Sequence, residues 1–322
     1  MYDESALVPD IIFKMAKVLS VNISEKKGTI KVPVEKIALT KFGVEGDAHA
    51  GSWHRQVSLL GNESFKKFNV IAGREIKFGE FAENITTEGI VLYETHPLDR
   101  LKIGEAELEV TQIGKKCHGD SCAIFREVGN CVMPKEGIFA RVLKEGDVKA
   151  GDQVEYFPYT FRISVITLSD RASRGEYEDR SGPAMIKMLE DFFNHKKWNF
   201  RIDHEIIPDD PVKLKELLLK CREGKFDFVF TTGGTGIGPR DFTPDVTREM
   251  IDKEIPGIME MIRLKYGQEK PAALVTRGIA GLMGQTLIFN LPGSVKAINE
   301  YIPEISVHLN HLVMMIHSID SH

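Results

Sequence analysis

The sequence lacks the features that would tie this protein to a membrane, a secretory route or a polyanion. No apolar run reaches the roughly 18 residues of a bilayer-spanning helix, and the first residues, MYDESALVPD, lack the basic start and apolar stretch of a secretory signal. Its 42 Lys and Arg against 47 Asp and Glu give a formal net charge of −5, so nothing favours nucleic acid as a partner. We therefore expect a cytoplasmic protein with neither membrane nor nucleic-acid partners.

Cysteine is scarce, and its distribution is uneven. Three of the four cysteines, Cys117, Cys122 and Cys131, lie close together, and Cys221 stands apart in a helix-like segment. In a reducing compartment such a cluster is more often metal-binding, catalytic or redox-active than a disulfide. The pattern predicts a thiol site in the first half of the chain and no special role for Cys221.

Two different sequence patterns divide the 322 residues. In the first half, short apolar runs such as RQVSLL, REIKFGEFAENI and AELEVTQIG are separated by turn residues, which predicts a mainly β barrel or curled sheet. KEGDVKAGDQV is typical of a hairpin that closes this domain. From FRISVITL onwards, strands alternate with helical segments, which predicts a parallel sheet covered on both faces. We assign one domain to residues 1–157 and a second to residues 158–322.

A glycine- and threonine-rich loop follows the strand FDFVF. The segment Thr231–Asp245 reads TTGGTGIGPRDFTPD, so its backbone can approach a bound group closely while amides and hydroxyls act as donors. It is neither a Walker A motif nor a dinucleotide fingerprint, because no Lys-Ser/Thr pair follows GGTG and Pro239 comes where a helix would open. At the carboxyl edge of a parallel strand it predicts an anion cradle, with Arg240 available to a phosphate.

Acidic residues accompany this loop. Asp241 lies within it, and IIPDD ends another strand, which places Asp209 or Asp210 at the same edge of the sheet. Two carboxylates beside a phosphate cradle can hold Mg²⁺ on a nucleotide during phosphoryl or nucleotidyl transfer. A plain loop before a helix would read the same way at IIPDD, so both interpretations stay open. Asp245 is more typical of the first turn of a helix than of catalysis.

Two more loops follow strands of the same half. One reads TLSDRASRGEYEDRSG and offers hydroxyl and guanidinium groups to a phosphate or a polar heterocycle, although a solvated charged loop looks similar. The other, NLPGSVKA, turns after the strand TLIFN. The candidate cofactor-binding residues of these two loops are Ser169, Asp170, Arg171, Gly293 and Ser294.

In this order and spacing, LSDRASRGEYED, IIPDD, TTGGTGIGPRDFTPD and NLPGSVKA resemble the MogA/MoaB family of molybdenum cofactor biosynthesis over residues 161 to about 318. The resemblance implies a doubly wound α/β domain, commonly trimeric, that binds molybdopterin. The MogA-like members of the family use MgATP to adenylylate its phosphate. It places the family's two functional acids on Asp209 and Asp241. One departure is Val295, where many members carry proline. The pterin-binding loop of the family falls on Gly233, Gly234, Thr235 and Gly236.

The first half carries the candidate thiol site. Cys117 follows the strand AELEVTQIG beside Lys115 and Lys116, and adjacent positive charge favours the thiolate, which acts as a nucleophile or soft-metal ligand. A zinc site is an alternative, although its spacing lacks paired C-x2-C knuckles. Cys122 and Cys131 also read as small buried apolar residues. The ligands of such a zinc site would be Cys117, His118, Cys122 and Cys131. A Gly-rich loop upstream, GVEGDAHAGSWHRQ, carries Asp47, His49, His54 and Arg55.

GDAHAGSWHRQVSLL, ENITTEG, KKCHGDSCAI and MPKEGIFARVLKEGDVKAGD are similar to the MOSC domain over about residues 15 to 157. This β-rich module is related to the C-terminal region of molybdenum cofactor sulfurases. The resemblance implies that the family's functional cysteine, which carries sulfur or ligates molybdenum, falls on Cys117, with Cys122 as the neighbouring alternative. Some members of the family reduce N-hydroxylated substrates.

Both resemblances point to the molybdenum cofactor. They imply that the second domain adenylylates molybdopterin with Mg²⁺ held by Asp209 and Asp241, and that the first binds or sulfurates the cofactor through Cys117. Two alternatives stay open: a molybdopterin carrier without adenylylation, and a molybdenum oxidoreductase in the first domain. The partners implied are molybdopterin, ATP, a molybdenum insertase, a sulfur donor, molybdoenzyme clients and further copies of the chain in a trimer.

Overall fold

The computed structural model of the chain describes residues 16–116, 128 and 131–319. It divides into two compact units, Met1–Tyr159 (unit 1) and Thr160–His322 (unit 2). Among the described residues, no helix is both long enough and apolar enough to cross a membrane.

Unit 1 is built mainly from short β-strands. The described residues of this unit include the helices α1 (Asn62–Ala72) and α2 (Met133–Glu136). Its strands are β1 (Ala16–Ile23), β2 (Val32–Val34), β3 (Lys36–Thr40), β4 (Gly43–Val44), β5 (Val57–Gly61), β6 (Ile85–Glu88), β7 (Arg100–Ile103), β8 (Ala106–Ile113), β9 (Ile138–Lys144), β10 (Gly146–Lys149) and β11 (Gln153–Phe157).

Seven of these strands close a barrel. The order is β11–β7–β8–β9–β5–β6–β1, and β1 pairs again with β11, so the sheet returns to its first strand. Closure satisfies the edge hydrogen bonds that an open sheet would leave to solvent. Alternate side chains fill the interior, among them Val18, Leu59, Leu101 and Leu108. The barrel predicted for this half is confirmed.

The predicted closing hairpin is wrong. β10 pairs with β3 in a separate three-stranded sheet, and β11 pairs with β7 and β1 of the barrel. The turn between them bonds to β1 instead of folding β11 back on β10, because Gly151 N donates to Val18 O at 2.9 Å and Val18 N donates to Asp152 O at 2.9 Å. The turn residues mark a reversal of the chain but not the partner of each strand.

One segment of unit 1, REIKFGEF, packs against α1 where the sequence predicts a strand. REIKFGEF forms no strand, and only Ile85–Glu88 pairs in a sheet. Phe81 packs instead on α1, with ring centroids 5.0 Å from Phe65 and 5.1 Å from Phe68. The aromatic side chains of this segment therefore fill a second small core beneath α1, which is why the alternation of apolar residues did not mark a strand.

Unit 2 alternates strands and helices as expected. Its strands are β12 (Thr160–Leu168), β13 (Asn199–Ile207), β14 (Phe228–Thr232), β15 (Lys253–Glu254), β16 (Ala280–Met283) and β17 (Thr286–Leu291). Its helices are α3 (Asp170–Ser173), α4 (Ser181–His195), α5 (Pro211–Glu223), α6 (Thr243–Met250), α7 (Pro256–Gly267) and α8 (Val295–Ile316).

The sheet of unit 2 has the order β13–β12–β14–β17–β16–β15. The first four strands are parallel, and β16 and β15 are antiparallel, so the predicted doubly wound and mostly parallel sheet is confirmed. One face packs on α5 and α6 through residues such as Leu214, Leu218 and Val246. The other packs on α4, where Phe193 lies 5.6 Å from Phe161 and 5.7 Å from Phe228 between ring centroids.

The parallel strands bring their following loops to one edge of the sheet. The chain leaves β12 after Leu168, β13 after Ile207, β14 after Thr232 and β17 after Leu291. These are the loops in which the sequence places candidate ligand-binding residues, and a crevice at this edge is the usual ligand site of open α/β sheets. Cys221 is buried within α5, as expected of a structural cysteine.

Candidate functional site

A cleft of about 310 Å³ opens at this edge of the sheet. Its walls come from the ends of β12, β13 and β14, which bring together residues far apart in the chain. Seven of its eight lining residues are polar, charged or glycine, so the cleft suits a polar ligand. The lining residues are Leu168, Ser169, Asp170, Arg171, Asp209, Gly234, Arg240 and Asp241.

The structure separates the two acids of IIPDD. Asp210 is the N-cap of α5, since its carboxylate accepts from the backbone amides of Val212 at 2.8 Å and Lys213 at 3.3 Å. Asp209 instead turns to Asp170 at the end of β12. Asp170 N donates to Asp209 Oδ2 at 3.2 Å, and Asp209 N donates to Asp170 Oδ1 at 3.1 Å. The reciprocal bonds tie the two loops together and leave Asp209 lining the cleft.

Asp241 lines the same cleft from the glycine loop. Its Oδ2 accepts from Gly238 N at 2.8 Å, and its own amide donates to Gly238 O at 3.0 Å. A Cβ added at Gly236 would lie 2.7 Å from Asp241 Oδ2. The short turn therefore fixes the carboxylate, and glycine at position 236 leaves room for it.

Negative charge is concentrated where these loops meet. Burial raises the pKa of Asp209 above its ordinary value, and the neighbouring carboxylates of Asp170 and Asp241 raise it further. The Asp170 amide and the Arg240 guanidinium act in the opposite direction, without cancelling the rise. A cation in this cleft would offset the repulsion between the carboxylates, which is a property expected of a metal site.

Arg240 and Arg171 lie at the rim of the cleft. Arg240 forms an ion pair with the Asp170 carboxylate, and its Nη2 donates to Asp209 O at 3.2 Å. The guanidinium predicted to meet a phosphate is thus held beside the acids. Arg171 lies over the ring of Tyr177 at 5.3 Å. Ser169 caps the short helix α3 by accepting from Ala172 N at 3.2 Å.

The first glycines of the loop are needed for close packing. Gly233 has φ of 108° and Gly234 has φ of 63°, values that L side chains rarely adopt. A Cβ at Gly233 would lie 2.4 Å from Leu168 O, so the loop runs directly against the end of β12. Of the four residues predicted as the pterin loop, Gly234 lines the cleft, whereas Gly233, Thr235 and Gly236 are not among the lining residues.

The loop after β17 packs closely against the glycine loop. A Cβ at Gly293 would lie 3.2 Å from the Cα of Gly233. Ser294 is the N-cap of α8, since its Oγ accepts from Ala297 N at 3.2 Å. Both residues were predicted to bind the cofactor. The structure gives each a packing or capping role and places neither among the residues that line the cleft.

Sequence reasoning missed Arg277. Its Nε donates to Gly236 O at 2.7 Å, its Nη2 donates to Asp241 O, and its Nη1 pairs with Asp245 at 2.8 Å. Arg277 lies 36 residues after Asp241, outside every motif of the loop. Only the return of the chain toward the loop after α7 brings it there, and no local pattern signals that.

The cleft is better suited to Mg²⁺, which takes part of its ligands from substrate and water, than to a metal ion whose ligands all come from the protein. Among the described residues, no group of three or more His, Cys, Asp or Glu side chains is arranged to hold a metal ion together. Mg²⁺ is usually bound by one or two carboxylates together with substrate phosphates and water. Asp209 and Asp241 on one polar cleft supply that kind of partial ligand set.

Unit 1 contains a buried ion pair behind its own candidate loop. The Asp47 carboxylate pairs with Lys31, accepts from Asn84 Nδ2 at 3.1 Å, and lies 3.2 Å from His49 Nδ1. Burial opposes its ionisation, but hydrogen bonds from His49 and Lys31 hold the pKa of Asp47 below its usual value. The pair anchors the loop that carries His49, His54 and Arg55. The guanidinium of Arg55 lies 4.7 Å from the centroid of the Trp53 ring.

The thiol site predicted for unit 1 falls largely on residues that are not described. Cys117, His118 and Cys122 lie outside the described residues, so their roles and the zinc alternative stay predictions. Cys131 is half-buried, packs beside the aromatic core under α1, and lines a cleft of about 180 Å³. Lys115 Nζ lies 5.8 Å from the centroid of the Phe139 ring.

Two family models match the chain. The model described as "Probable molybdopterin binding domain" matches residues 164–311, and the model of the MOSC domain matches residues 46–155. The first match contains all the residues that line the cleft of unit 2. The second includes the loop anchored by Asp47 and the undescribed Cys117.

Known proteins are similar to this chain over about half its length. The molybdopterin adenylyltransferase of Helicobacter pylori is 39% identical over 142 residues, which cover 44% of this chain and 79% of that protein. The enzyme of that name from Pyrococcus furiosus is 36% identical over 161 residues, covering 48% of this chain and 91% of that protein. The crystal structure of the molybdopterin biosynthesis enzyme MoaB from Thermus thermophilus has 37% identity, covers 49% of this chain and 97% of that one, and has a TM-score of 0.45.

Proposed function

Because this chain belongs to the family of the "Probable molybdopterin binding domain" through residues 164–311 and carries a MOSC domain at residues 46–155, we propose that unit 2 is a molybdopterin adenylyltransferase. It would transfer AMP from ATP to the terminal phosphate of molybdopterin. The observation that carries the proposal is the cleft in which Asp209, Asp241 and the glycine loop meet. The names of the relatives from Helicobacter pylori and Pyrococcus furiosus support the reaction.

The reaction asks little of a general base. An oxygen of the pterin phosphate attacks the α-phosphorus of ATP, the bond to the β-phosphate breaks, and pyrophosphate leaves. The nucleophile is already anionic, so the main barrier is the repulsion between two polyanions. Mg²⁺ held at the cleft would supply the positive charge that offsets this repulsion.

The residues of unit 2 would divide this work. Asp209 and Asp241 would hold Mg²⁺, since their carboxylates line one cleft and the turn at Gly238 fixes the second of them. The backbone at Gly234 would approach the phosphates, because glycine leaves the backbone uncovered there. Arg240 and Arg171 at the rim would pair with phosphate oxygens.

The direct test incubates the purified chain with molybdopterin, ATP and Mg²⁺ and follows pyrophosphate and adenylylated molybdopterin. We expect both products in equal amounts, and neither when molybdopterin or Mg²⁺ is omitted. Tight binding of molybdopterin without release of pyrophosphate would instead support a carrier without adenylylation. The trimer implied by the resemblance stays a prediction, which light scattering of the same sample checks.

We also propose that unit 1 binds the molybdenum-pterin cofactor or transfers sulfur to it through Cys117. Support comes from the MOSC match and from Lys115 and Lys116, which follow β8 immediately before this cysteine. A molybdenum insertase, a sulfur donor and molybdoenzyme clients would be its partners.

Molybdenum content measured by mass spectrometry tests ligation by the thiol. We expect Cys117→Ala to lose the metal that the unaltered protein carries, and Cys131→Ala to retain it. Equal occupancy in all three proteins would contradict ligation by Cys117. Reduction of an N-hydroxylated substrate by the metal-loaded protein would favour an oxidoreductase in unit 1.

A further inference from the structure

One guanidinium group holds both ends of the exposed part of the glycine loop. Arg277 donates from Nε to Gly236 O at 2.7 Å and from Nη2 to Asp241 O. Its backbone amide donates to Thr235 O at 2.8 Å, and the hydroxyl of Thr276 donates to Thr235 Oγ1 at 3.0 Å. Thr276 and Arg277 therefore hold the loop at Thr235 and Gly236, before its exposed part, and at Asp241, after it.

The loop between these two points has little packing of its own. The residues from Ile237 to Arg240 are exposed, and the side chain of Ile237 is 79% exposed. Hydrophobic burial cannot define the shape of such a segment, so its hydrogen bonds must. The Asp241 carboxylate accepts from Gly238 within the same short segment, and its direction therefore depends on how the segment is held.

The chemistry of arginine suits this task. A guanidinium is planar and presents several donors at fixed angles, so it can bridge two carbonyls and a carboxylate at once. A lysine ammonium in the same place would keep the charge but could not reproduce the geometry of the fork. The charge of Arg277 is itself offset by Asp245, which its Nη1 meets at 2.8 Å, so the group is engaged with the protein.

We propose that Arg277 is a positioning residue for the metal–nucleotide site, which sets the direction of the Asp241 carboxylate by fixing the carbonyls of Gly236 and Asp241. This inference rests on the adenylyl transfer proposed for unit 2. The role is separate from charge, because the contacts that matter are hydrogen bonds to backbone oxygens. It is also separate from pterin binding, because Arg277 is not among the residues that line the cleft.

The test compares Arg277→Lys and Arg277→Ala with two control variants. Asp245→Asn removes the ion pair and keeps both backbone hydrogen bonds of Arg277. Arg248→Ala removes an arginine from the same helix as Asp245, where it faces Glu254 at 3.8 Å on the exposed surface. Thermal unfolding of each protein first establishes that it is folded.

The first readout is Mn²⁺ binding, followed by electron paramagnetic resonance in the presence of a non-hydrolysable ATP analogue. We expect both Arg277 variants to bind Mn²⁺ at least about tenfold more weakly, a change of about 1.4 kcal/mol. The two controls should stay within about twofold of the unaltered chain, because their loop bonds remain. Folded Arg277 variants that bind Mn²⁺ as the unaltered chain does would overturn the proposal.

The second readout is the rate of pyrophosphate release at rising Mg²⁺ concentration. The Arg277 variants should need more Mg²⁺ and show a lower kcat, because the metal is held less firmly. KM for molybdopterin should stay within about twofold, because Arg277 is not among the residues that line the cleft. A merely structural role would lower the folded fraction without changing the Mg²⁺ dependence of the folded protein. If the unaltered chain releases no pyrophosphate, the adenylyltransferase proposal fails, whereas the Mn²⁺ comparison still decides the role of Arg277.

Discussion

Glu83 places an ionisable group in the interior of unit 1. Its Oε1 accepts from Thr86 Oγ1 at 3.0 Å and from the Gly79 amide. Its Oε2 has no hydrogen-bond partner within the described part of the chain. Burial raises the pKa of Glu83 to about 7, against the opposing effects of these hydrogen bonds and of the Lys31 charge.

We expect Glu83→Gln to flatten the pH dependence of the stability of unit 1. Between about pH 4.5 and 7 the folded carboxyl keeps a proton that the unfolded chain has lost, so the unfolding free energy falls as pH rises through this window. The pKa change corresponds to roughly 3 kcal/mol. Urea unfolding followed by Trp53 fluorescence in a Trp198→Phe background measures it at several pH values.

The exposed Glu75 is the matched control for this measurement. Glu75→Gln makes the same change of carboxyl to amide on the surface of the same unit, so it controls for the substitution itself. If the Glu83→Gln curve runs parallel to that of the unaltered chain from pH 4.5 to 7, Glu83 is ionised in the fold and the interpretation is wrong.

An acid that lines the cleft of unit 2 and an acid that caps a helix should affect the rate of adenylylation differently when substituted. Asp241→Asn is expected to keep molybdopterin binding and to lower the rate of adenylylation about a hundredfold, since metal charge contributes several kcal/mol and each 1.36 kcal/mol is tenfold. The physical reason is that an amide oxygen binds Mg²⁺ without the negative charge of a carboxylate. Pyrophosphate release, with a binding assay for the pterin, measures the two effects separately.

Asp210→Ala serves as the comparison, since Asp210 caps α5 and stands next to Asp209. Loss of the cap should cost about 1 kcal/mol of stability and leave the rate per folded molecule unchanged. Undiminished adenylylation by Asp241→Asn would remove that residue from the reaction, and a large rate loss in Asp210→Ala would show that the wrong acid of the pair had been chosen.

Single elements differ in how well the sequence predicts them. α5 has clear local signals in the sequence, because Pro211 opens it and its apolar residues recur with helical spacing. α1 was missed, and β10 and β11 were assigned to one hairpin although they belong to different sheets. Pairing of strands is decided by distant segments, such as the bond from Gly151 to β1, and no local pattern encodes it.

The candidate site shows the same division between local and distant information. Asp209, Asp241 and the glycines follow predicted strands, so a parallel sheet was sufficient to place them at one edge. The pairing of Asp170 with Asp209 depends on the register of β12 and β13, which the sequence does not specify. Arg277 lies in a segment with no recognisable motif, so its contact with the glycine loop is evident only in the folded chain.

The contact between the glycine loop and β12 should make Gly233 intolerant of any side chain. Its φ is 108°, and a Cβ would lie 2.4 Å from Leu168 O, a backbone atom that cannot move without shifting the strand. We expect Gly233→Ala to destabilise unit 2 by at least about 2 kcal/mol, from backbone strain together with the clash. Urea unfolding followed by Trp198 fluorescence in a Trp53→Phe background checks this value.

Gly257 provides the contrast within the same unit. It lies in the first turn of α7, and a Cβ there would meet nothing within 4 Å. Gly257→Ala should therefore be neutral or stabilising by up to about 1 kcal/mol, as alanine is in a helix. Equal stability of the two alanine variants would mean that the loop is free to move away from β12.

At the scale of the whole molecule, each of the two units has its own sheet and its own hydrophobic core. The barrel of unit 1 closes on itself around its own core, and the sheet of unit 2 has helices on both faces. Each unit therefore has the buried apolar surface that an independent domain requires. Every residue that lines the cleft of unit 2, and each partner of Arg277, lies within Thr160–His322.

We therefore expect residues 160–322 to fold and to adenylylate molybdopterin when produced alone. The proposed reaction would use the cleft, the loop held by Arg277 and the packing of the sheet, and unit 2 contains all three. Its kcat should lie within about threefold of that of the full chain, since a change of less than 1 kcal/mol separates such rates. Circular dichroism and pyrophosphate release measure fold and rate on the same sample, with the Asp241→Asn form of the isolated unit as the inactive control. A folded unit that binds molybdopterin but releases no pyrophosphate, beside an active full chain, would mean that unit 1 contributes to the reaction itself.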